Sequence, residues 1–292
     1  MKHLLFFLFL FCSSFAASQT VPVSDFAAFE RDFGGRTIYY RKAQIAPVDG
    51  EMKALVIYLH GGSSCGTDNV AQMNEPGIEA IASYLQTRAI TSVMLVPQCP
   101  ERNLGWGGLA RNVKEMIDFI VRTEGIDPDR IYLFGGSMGG TGTWKMLSSY
   151  PSFFAAAMPC AANPSGMDAE KVSTTPVYNV MGLADRIMAG DVRATAEAFV
   201  AQLKNLGDDV VYETVEGWSH EMTCTQSYTP QRLDWVFAHQ RNGATGIAPV
   251  LSPSDSSGAT GRVFKIEKKS DVKSVRFSGL PGYWYLMLKV GK

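Results

Sequence analysis

Ile131-Tyr132-Leu133-Phe134-Gly135-Gly136-Ser137-Met138-Gly139-Gly140-Thr141-Gly142-Thr143-Trp144 is the stretch on which the fold turns. Its first four residues are apolar strand formers. Its middle is a run of glycines around one serine, and residues 141–149 read as a helix stopped by Pro151. Within it, Gly135-Gly136-Ser137-Met138-Gly139 fits G-x-S-x-G. Five residues recur by chance, so the pattern alone says little. A strand before it and a helix after it predict the sharp turn that lifts a serine hydroxyl out of the end of a sheet. Gly135 and Gly139 have no Cβ, so strand and helix can cross closely. The competing reading is a glycine-rich turn that cradles phosphate. The chain has neither the lysine-bearing phosphate loop nor the spaced acidic residue for a ribose that such a turn needs.

Outward from this stretch, extended and helical patterns alternate. Residues 53–60 are an apolar run ending in glycines, and 78–88 have helical spacing. Residues 92–96 read as a strand and 113–123 as a helix, apolar at Val113, Met116, Ile117, Ile120 and Val121. Asp127-Pro128-Asp129 is a turn signal opening a strand over 130–134. Residues 153–158, 177–182 and 210–215 read as strands, and 194–205 and 231–240 as helices. The alternation predicts an α/β fold, a mostly parallel sheet with helices on both faces. Such sheets place their chemistry at the carboxyl ends of the strands.

The whole chain has 292 residues, 46% apolar, with a formal net charge of −1. That supports a sizeable core and gives no sign of a nucleic-acid partner, which calls for a basic excess. Met1-Lys2-His3, an apolar run over 4–11 and the small residues Ala16-Ala17-Ser18 predict a signal peptide over 1–18. Cys12 follows Phe11, where a lipidated leader has a small residue. The mature chain from Gln19 is therefore expected to be exported to a periplasm, cell surface or extracellular space. No integral membrane segment is expected once the leader is removed. A catalytic domain is expected over 19–242. Residues 243–261 are rich in Ser, Pro, Gly, Ala and Thr and read as a linker. The segment 262–292 carries eight Lys/Arg against two Asp/Glu and ends in a short strand-like run. Four cysteines survive leader removal: Cys65, Cys99, Cys160 and Cys224. In an oxidising compartment they can pair in three ways or stay buried and reduced, and both readings stand. No Cys or His spacing suggests a metal.

A serine needs a base. Only three histidines follow the leader. His239 lies in a helical pattern, and His60 opens His60-Gly61-Gly62 directly after a strand. His220 lies in Glu216-Gly217-Trp218-Ser219-His220 after the last strand and is the expected base. The base needs a carboxylate to orient it. Asp185 follows the strand 177–182 at its carboxyl end. Asp191 is the competitor but reads as a helix cap, and Asp168 lies on the wrong edge. Backbone N–H donors for an oxyanion are expected at Met138 and at Gly62 or Ser63. His60, Trp106 and Trp218 are candidate substrate contacts, the tryptophans as stacking surfaces for a sugar or phenolic ring. Nothing in this chemistry requires a metal or organic cofactor.

These residues resemble secreted α/β-hydrolase esterases of the feruloyl and acetylxylan esterase type, with polyhydroxybutyrate depolymerases near by. The resemblance rests on Asp127-Pro128-Asp129-Arg130-Ile131-Tyr132 running into Gly136-Ser137-Met138-Gly139-Gly140, with Thr143-Trp144 and Tyr150-Pro151 after it. Leu59-His60-Gly61-Gly62, Pro97-Gln98-Cys99-Pro100 before Trp106, Gly182-x-x-Asp185 and Gly217-x-x-His220 add to it. It covers roughly residues 55–241. It departs at Met181-Gly182, where the family often has His-Gly, and at Arg186-Ile187-Met188, where Val-Pro often follows the acid. The resemblance implies the α/β-hydrolase fold and a serine esterase acting on a small ester or an acylated plant polysaccharide. Another serine hydrolase (a polyester depolymerase, general esterase or peptidase) and an inactive hydrolase-fold binding module are the alternatives. The ending Gly279-Leu280-Pro281-Gly282-Tyr283 and the run after it are similar to carboxyl-terminal sorting domains of the type IX secretion system. A small β-extension is the other reading of that tail.

Overall fold

The structure, a computed structural model, describes residues 20–241 and the backbone of 272–280 and 283–290. Eight strands form one sheet: β1 (Ala27–Phe33), β2 (Arg36–Ile45), β3 (Lys53–Leu59), β4 (Ser92–Pro97), β5 (Ile126–Gly136), β6 (Ala156–Cys160), β7 (Val177–Gly182) and β8 (Val210–Val215). The order is β1-β2-β4-β3-β5-β6-β7-β8. β2 runs antiparallel to both β1 and β4, and every pairing from β4 through β8 is parallel. The helices are α1 (Pro76–Thr87), α2 (Gly105–Thr123), α3 (Met138–Ser149), α4 (Ala169–Val172), α5 (Asp191–Asn205), α6 (His220–Gln226) and α7 (Pro230–Phe237).

Successive residues of a strand point to opposite faces of the sheet. On β3, Leu55, Ile57 and Leu59 join one apolar cluster with Val113, Ile117 and Ile120 of α2 and Trp144 of α3. Ala54, Val56 and Tyr58 join the other, with Ile78, Ile81 and Leu85 of α1 and Leu233 and Val236 of α7. The central strands are buried on both sides, which is why they read as continuous apolar runs. Each such side chain contributes roughly 1.5–3 kcal/mol on burial. The carboxyl ends of β3, β5, β7 and β8 are thereby held at one edge of the sheet, and the segments leaving them form the site.

The structure differs from the expected elements in physically specific ways. α2 starts at Gly105 rather than near 113, because Trp106 and Leu109 are buried there despite three glycines that disfavour helix. Asp127-Pro128-Asp129 does not precede β5 but lies inside it as an irregularity. Lys53 pairs with Ile126 and Leu55 with Ile131, so the extra residues bulge. β6 is displaced to Ala156–Cys160, since Ser152 turns the chain at φ 56° and Phe153 and Phe154 pack beneath the sheet first. The leader 1–18 and the linker 243–261 lie outside the described residues. Beyond them, β9 (Val272–Leu280) and β10 (Tyr283–Val290) pair antiparallel with Leu280 opposite Tyr283. Among the described residues, no helix is long and apolar enough to cross a membrane.

Candidate active site

Ser137 stands alone between the end of β5 and the start of α3. Its backbone is at φ 57° and ψ −120°, a conformation that costs a non-glycine residue of order 1–3 kcal/mol. Packing holds it there. Ser137 N–H donates to the Cys160 carbonyl at 3.0 Å, and Thr141 N–H donates to the Ser137 carbonyl at 2.9 Å. A Cβ on Gly139 would stand 1.8 Å from the Leu59 carbonyl oxygen, and one on Gly135 would stand 2.5 Å from the Gly139 carbonyl carbon. Both glycines are therefore required by backbone meeting backbone.

His220 Nε2 lies 2.8 Å from Ser137 Oγ, and His220 Nδ1 lies 2.7 Å from Asp185 Oδ2. Asp185 is 1% exposed, and its other oxygen accepts the N–H groups of Ile187 at 2.8 Å and Met188 at 2.9 Å. The carboxylate is thus locked by its own following turn. It accepts Nδ1–H and leaves Nε2 free to accept the serine proton. His220 opens α6 rather than lying in a loop, and the Ser219 hydroxyl caps that helix by accepting Met222 N–H at 3.2 Å. Gly182 lets the two loops meet, because a Cβ there would be 2.3 Å from the Trp218 carbonyl oxygen. Ala184 N–H donates to that same carbonyl at 3.0 Å. Asp191 is the first residue of α5, and Asp168 caps α4 through Glu170 N–H. His239 faces Asp209 and the Trp235 carbonyl.

The loop after β3 passes the same place. Gly62–Ser64 form a 3-10 turn. Gly61 N–H is taken by Glu75 Oε1 at 3.0 Å, and Ser64 N–H by the Gly61 carbonyl at 3.2 Å. Gly62 and Ser63 N–H are the donors a turn of this kind cannot satisfy from within, as is the N–H of Met138 at the head of α3. A Cβ on Gly61 would be 3.8 Å from Ser137 Cβ, so this loop runs directly past the serine.

Two expected substrate contacts are corrected. His60 is 0% exposed and both ring nitrogens are committed inside the protein. Nδ1 donates to the Gly61 carbonyl at 2.7 Å, and Nε2 accepts Cys99 N–H at 2.9 Å. Burial drives its pKa down to about 4, so the ring is a neutral brace and not a substrate ligand. Trp106 is 2% exposed, because the early start of α2 turns it inward. Its Nε1–H donates to the His60 carbonyl at 3.0 Å. Trp218 is half-buried, with the Arg232 guanidinium 5.2 Å from its ring centre.

Two side chains at the site escaped the sequence reading. Cys224 Sγ is 4.0 Å from His220 Nε2, one turn along α6, and burial pushes its thiol pKa up. The four-residue spacing from His220 signals this contact only once residues 220–226 are known to be helical. Glu75 reaches Gly61 from fourteen residues away with no local pattern to announce it. All four cysteines of the described residues are free thiols.

A family profile described as the alpha/beta hydrolase fold matches residues 108–209. A solved thermostable esterase superposes with a TM-score of 0.65 at 27% identity, over 75% of this chain and 64% of that one. Poly(3-hydroxyalkanoate) depolymerase C of Paucimonas lemoignei is 40% identical over 57 residues, which are 20% of this chain and 14% of that protein. Acetylxylan esterase A of Emericella nidulans is 27% identical over 97 residues, 29% of this chain and 31% of that protein. The chain spans less than a third of the length of these two curated relatives. Together with the eight-stranded, mostly parallel sheet, these matches give the chain the α/β-hydrolase fold.

Proposed function

We propose that this α/β-hydrolase-fold chain is an exported serine carboxylic-ester hydrolase in which Ser137, His220 and Asp185 form the catalytic triad. The observation that carries the reading is the unbroken run of contacts from Ser137 Oγ to His220 at 2.8 Å and from His220 to Asp185 at 2.7 Å. His220 Nε2 takes the proton of Ser137 as Oγ attacks the ester carbonyl carbon, and the carbonyl oxygen receives the electron pair. Met138 N–H, with Gly62 or Ser63 N–H, stabilises that oxyanion. Collapse breaks the ester C–O bond, and the leaving alcohol takes the proton from His220. Water then attacks the acyl-serine, again losing its proton to His220, and the acid departs. Asp185 keeps the imidazole in the tautomer this cycle needs.

The expected substrate is a feruloyl or acetyl ester on plant cell-wall polysaccharide, removed outside the cytoplasm. The partial likeness to acetylxylan esterase A supports it. Trp218, beside the His220 loop, is the aromatic surface left to contact a sugar or phenolic ring. The matching stretch of the poly(3-hydroxyalkanoate) depolymerase favours a second reading, cleavage of a polyester. The test is turnover by the protein from Gln19 on methyl ferulate, acetylated xylan, p-nitrophenyl acetate and poly(3-hydroxybutyrate). Asp185→Asn is assayed beside it and is expected to lower kcat about 10⁴-fold. Turnover of the xylan or ferulate esters supports the first reading, and polyester turnover alone replaces it with the second. Folded protein with no esterase activity would overturn both.

A further inference from the structure

We propose that Glu75 is a positioning residue that holds the oxyanion-binding loop in place; the inference rests on the serine-esterase reading above. Glu75 occupies the N-cap of α1, where a side-chain oxygen can accept its own helix's first N–H groups. It makes no such bond. Instead Oε1 turns to the loop after β3, accepting Gly61 N–H at 3.0 Å and the Ser64 hydroxyl at 2.7 Å. These two donors bracket Gly62 and Ser63, whose N–H groups are the ones aimed at the oxyanion.

The loop's other bonds reach its carbonyls: His60 Nδ1 donates to the Gly61 carbonyl and Gln98 Nε2 to the Ser64 carbonyl, so Glu75 is the side chain that holds its donor groups. Two consecutive glycines have the widest backbone freedom of any residues. Donors preorganised for an oxyanion are effective only if they do not have to reorganise as charge develops. A Cβ at Gly61 would lie 3.4 Å from Glu75 Oε1 and 3.8 Å from Ser137 Cβ, so the loop is wedged between the carboxylate and the nucleophile. His60 braces the near end of the same loop through the Gly61 carbonyl. Glu75 is the counterpart for the amide side. A carboxylate this close to a developing oxyanion would oppose it. Here its charge sits at the positive end of the twelve-residue α1 and is shared with two donors, which offsets that repulsion. The arrangement therefore fixes geometry without taking part in bond making.

The probe is an aryl trifluoromethyl ketone. Ser137 Oγ adds to its carbonyl carbon, the proton passes to His220, and the adduct carries an oxyanion in the hole. Glu75→Ala is expected to lower kcat roughly tenfold to hundredfold, with KM for p-nitrophenyl acetate changed less than about twofold. The inhibition constant of the ketone should weaken by the same factor as kcat/KM. Glu75→Gln keeps an acceptor oxygen and should recover most of both. Folded Glu75→Ala with unchanged kcat and ketone affinity, or with KM alone altered, would overturn the proposal. If Glu75→Ala does not fold, Ser64→Ala carries the test, since it removes one of the two bonds. A loss of roughly fivefold in kcat and in ketone affinity is then expected, and no loss overturns the proposal. Wild-type protein that neither turns over esters nor binds the ketone would overturn the esterase reading and this inference with it. Wild-type activity beside an unaffected Glu75→Ala would overturn this inference alone.

Discussion

The turn leaving β5 carries Ser137 and the loop leaving β3 runs directly past it, yet the two are held there by opposite means. The turn after β5 is fixed by what is missing. Gly135 and Gly139 leave no room for a side chain, and their neighbours are main-chain atoms of β3 and α3. The loop after β3 is fixed by what is present: Glu75 on one side, His60 and Trp106 on the other. A turn held by close backbone contact cannot yield, while a loop held by side-chain hydrogen bonds can be loosened one bond at a time. Errors of position in the first should cost the fold, and errors in the second should cost catalysis or pH tolerance first.

The sharpest way to break this contrast is Gly139→Ala. Its new methyl would fall 1.8 Å from the Leu59 carbonyl oxygen, with no flexible atom to give way. A loss of about 4 kcal/mol or more in urea unfolding, or failure to fold, is expected. A variant with near wild-type stability would show that α3 can slide off β3. Next comes His60→Gln, read by unfolding at pH 7 and at pH 4. Burial lowers the native pKa of His60 from 6.5 to about 4, so the folded protein keeps the ring neutral while the unfolded chain takes up a proton. That part of stability is complete above pH 6.5 and is lost as the pH falls from there to 4. Wild type should therefore lose about 3 kcal/mol over this interval that His60→Gln does not lose. Parallel acid limbs would mean the ring is not a buried neutral brace. The smallest effect is expected for Gly62→Ala, measured by unfolding alone. Its methyl would meet the exposed end of Arg102, with Nε 2.4 Å away, and that side chain can swing aside. A change under about 1 kcal/mol is expected. A cost matching that of Gly139→Ala would erase the distinction between the two loops.

The same contrast explains what could be read from the chain. Ser137 is legible because its constraint is local: strand, glycines, serine, glycines and helix stand within fourteen residues. The alternating strands and helices gave the sheet and its two faces for the same reason, since period and apolarity are properties of short windows. Asp185 and His220 are legible from their place after β7 and β8, and the structure brings His220 to Ser137 and Asp185 to His220. What stayed hidden depends on distant partners. His60 and Trp106 stand in glycine-rich, loop-like sequence, and only the packing of α2 against β3 and α3 buries them. Glu75 stands in no motif, and its partners Gly61 and Ser64 lie fourteen and eleven residues back along the chain. The β1–β2 hairpin turns on Gly34-Gly35, both at positive φ, a local signal that the reading above leaves unused; only its pairing to β4 depends on a distant partner.

The most direct test of the account treats the protein from Gln19 with a fluorophosphonate probe and maps the adduct by mass spectrometry. Ser137→Ala runs beside it. The account predicts one adduct, on Ser137, with labelling and p-nitrophenyl acetate turnover both abolished in Ser137→Ala. Folded protein that takes no label, or takes it elsewhere while Ser137→Ala stays active, would contradict it.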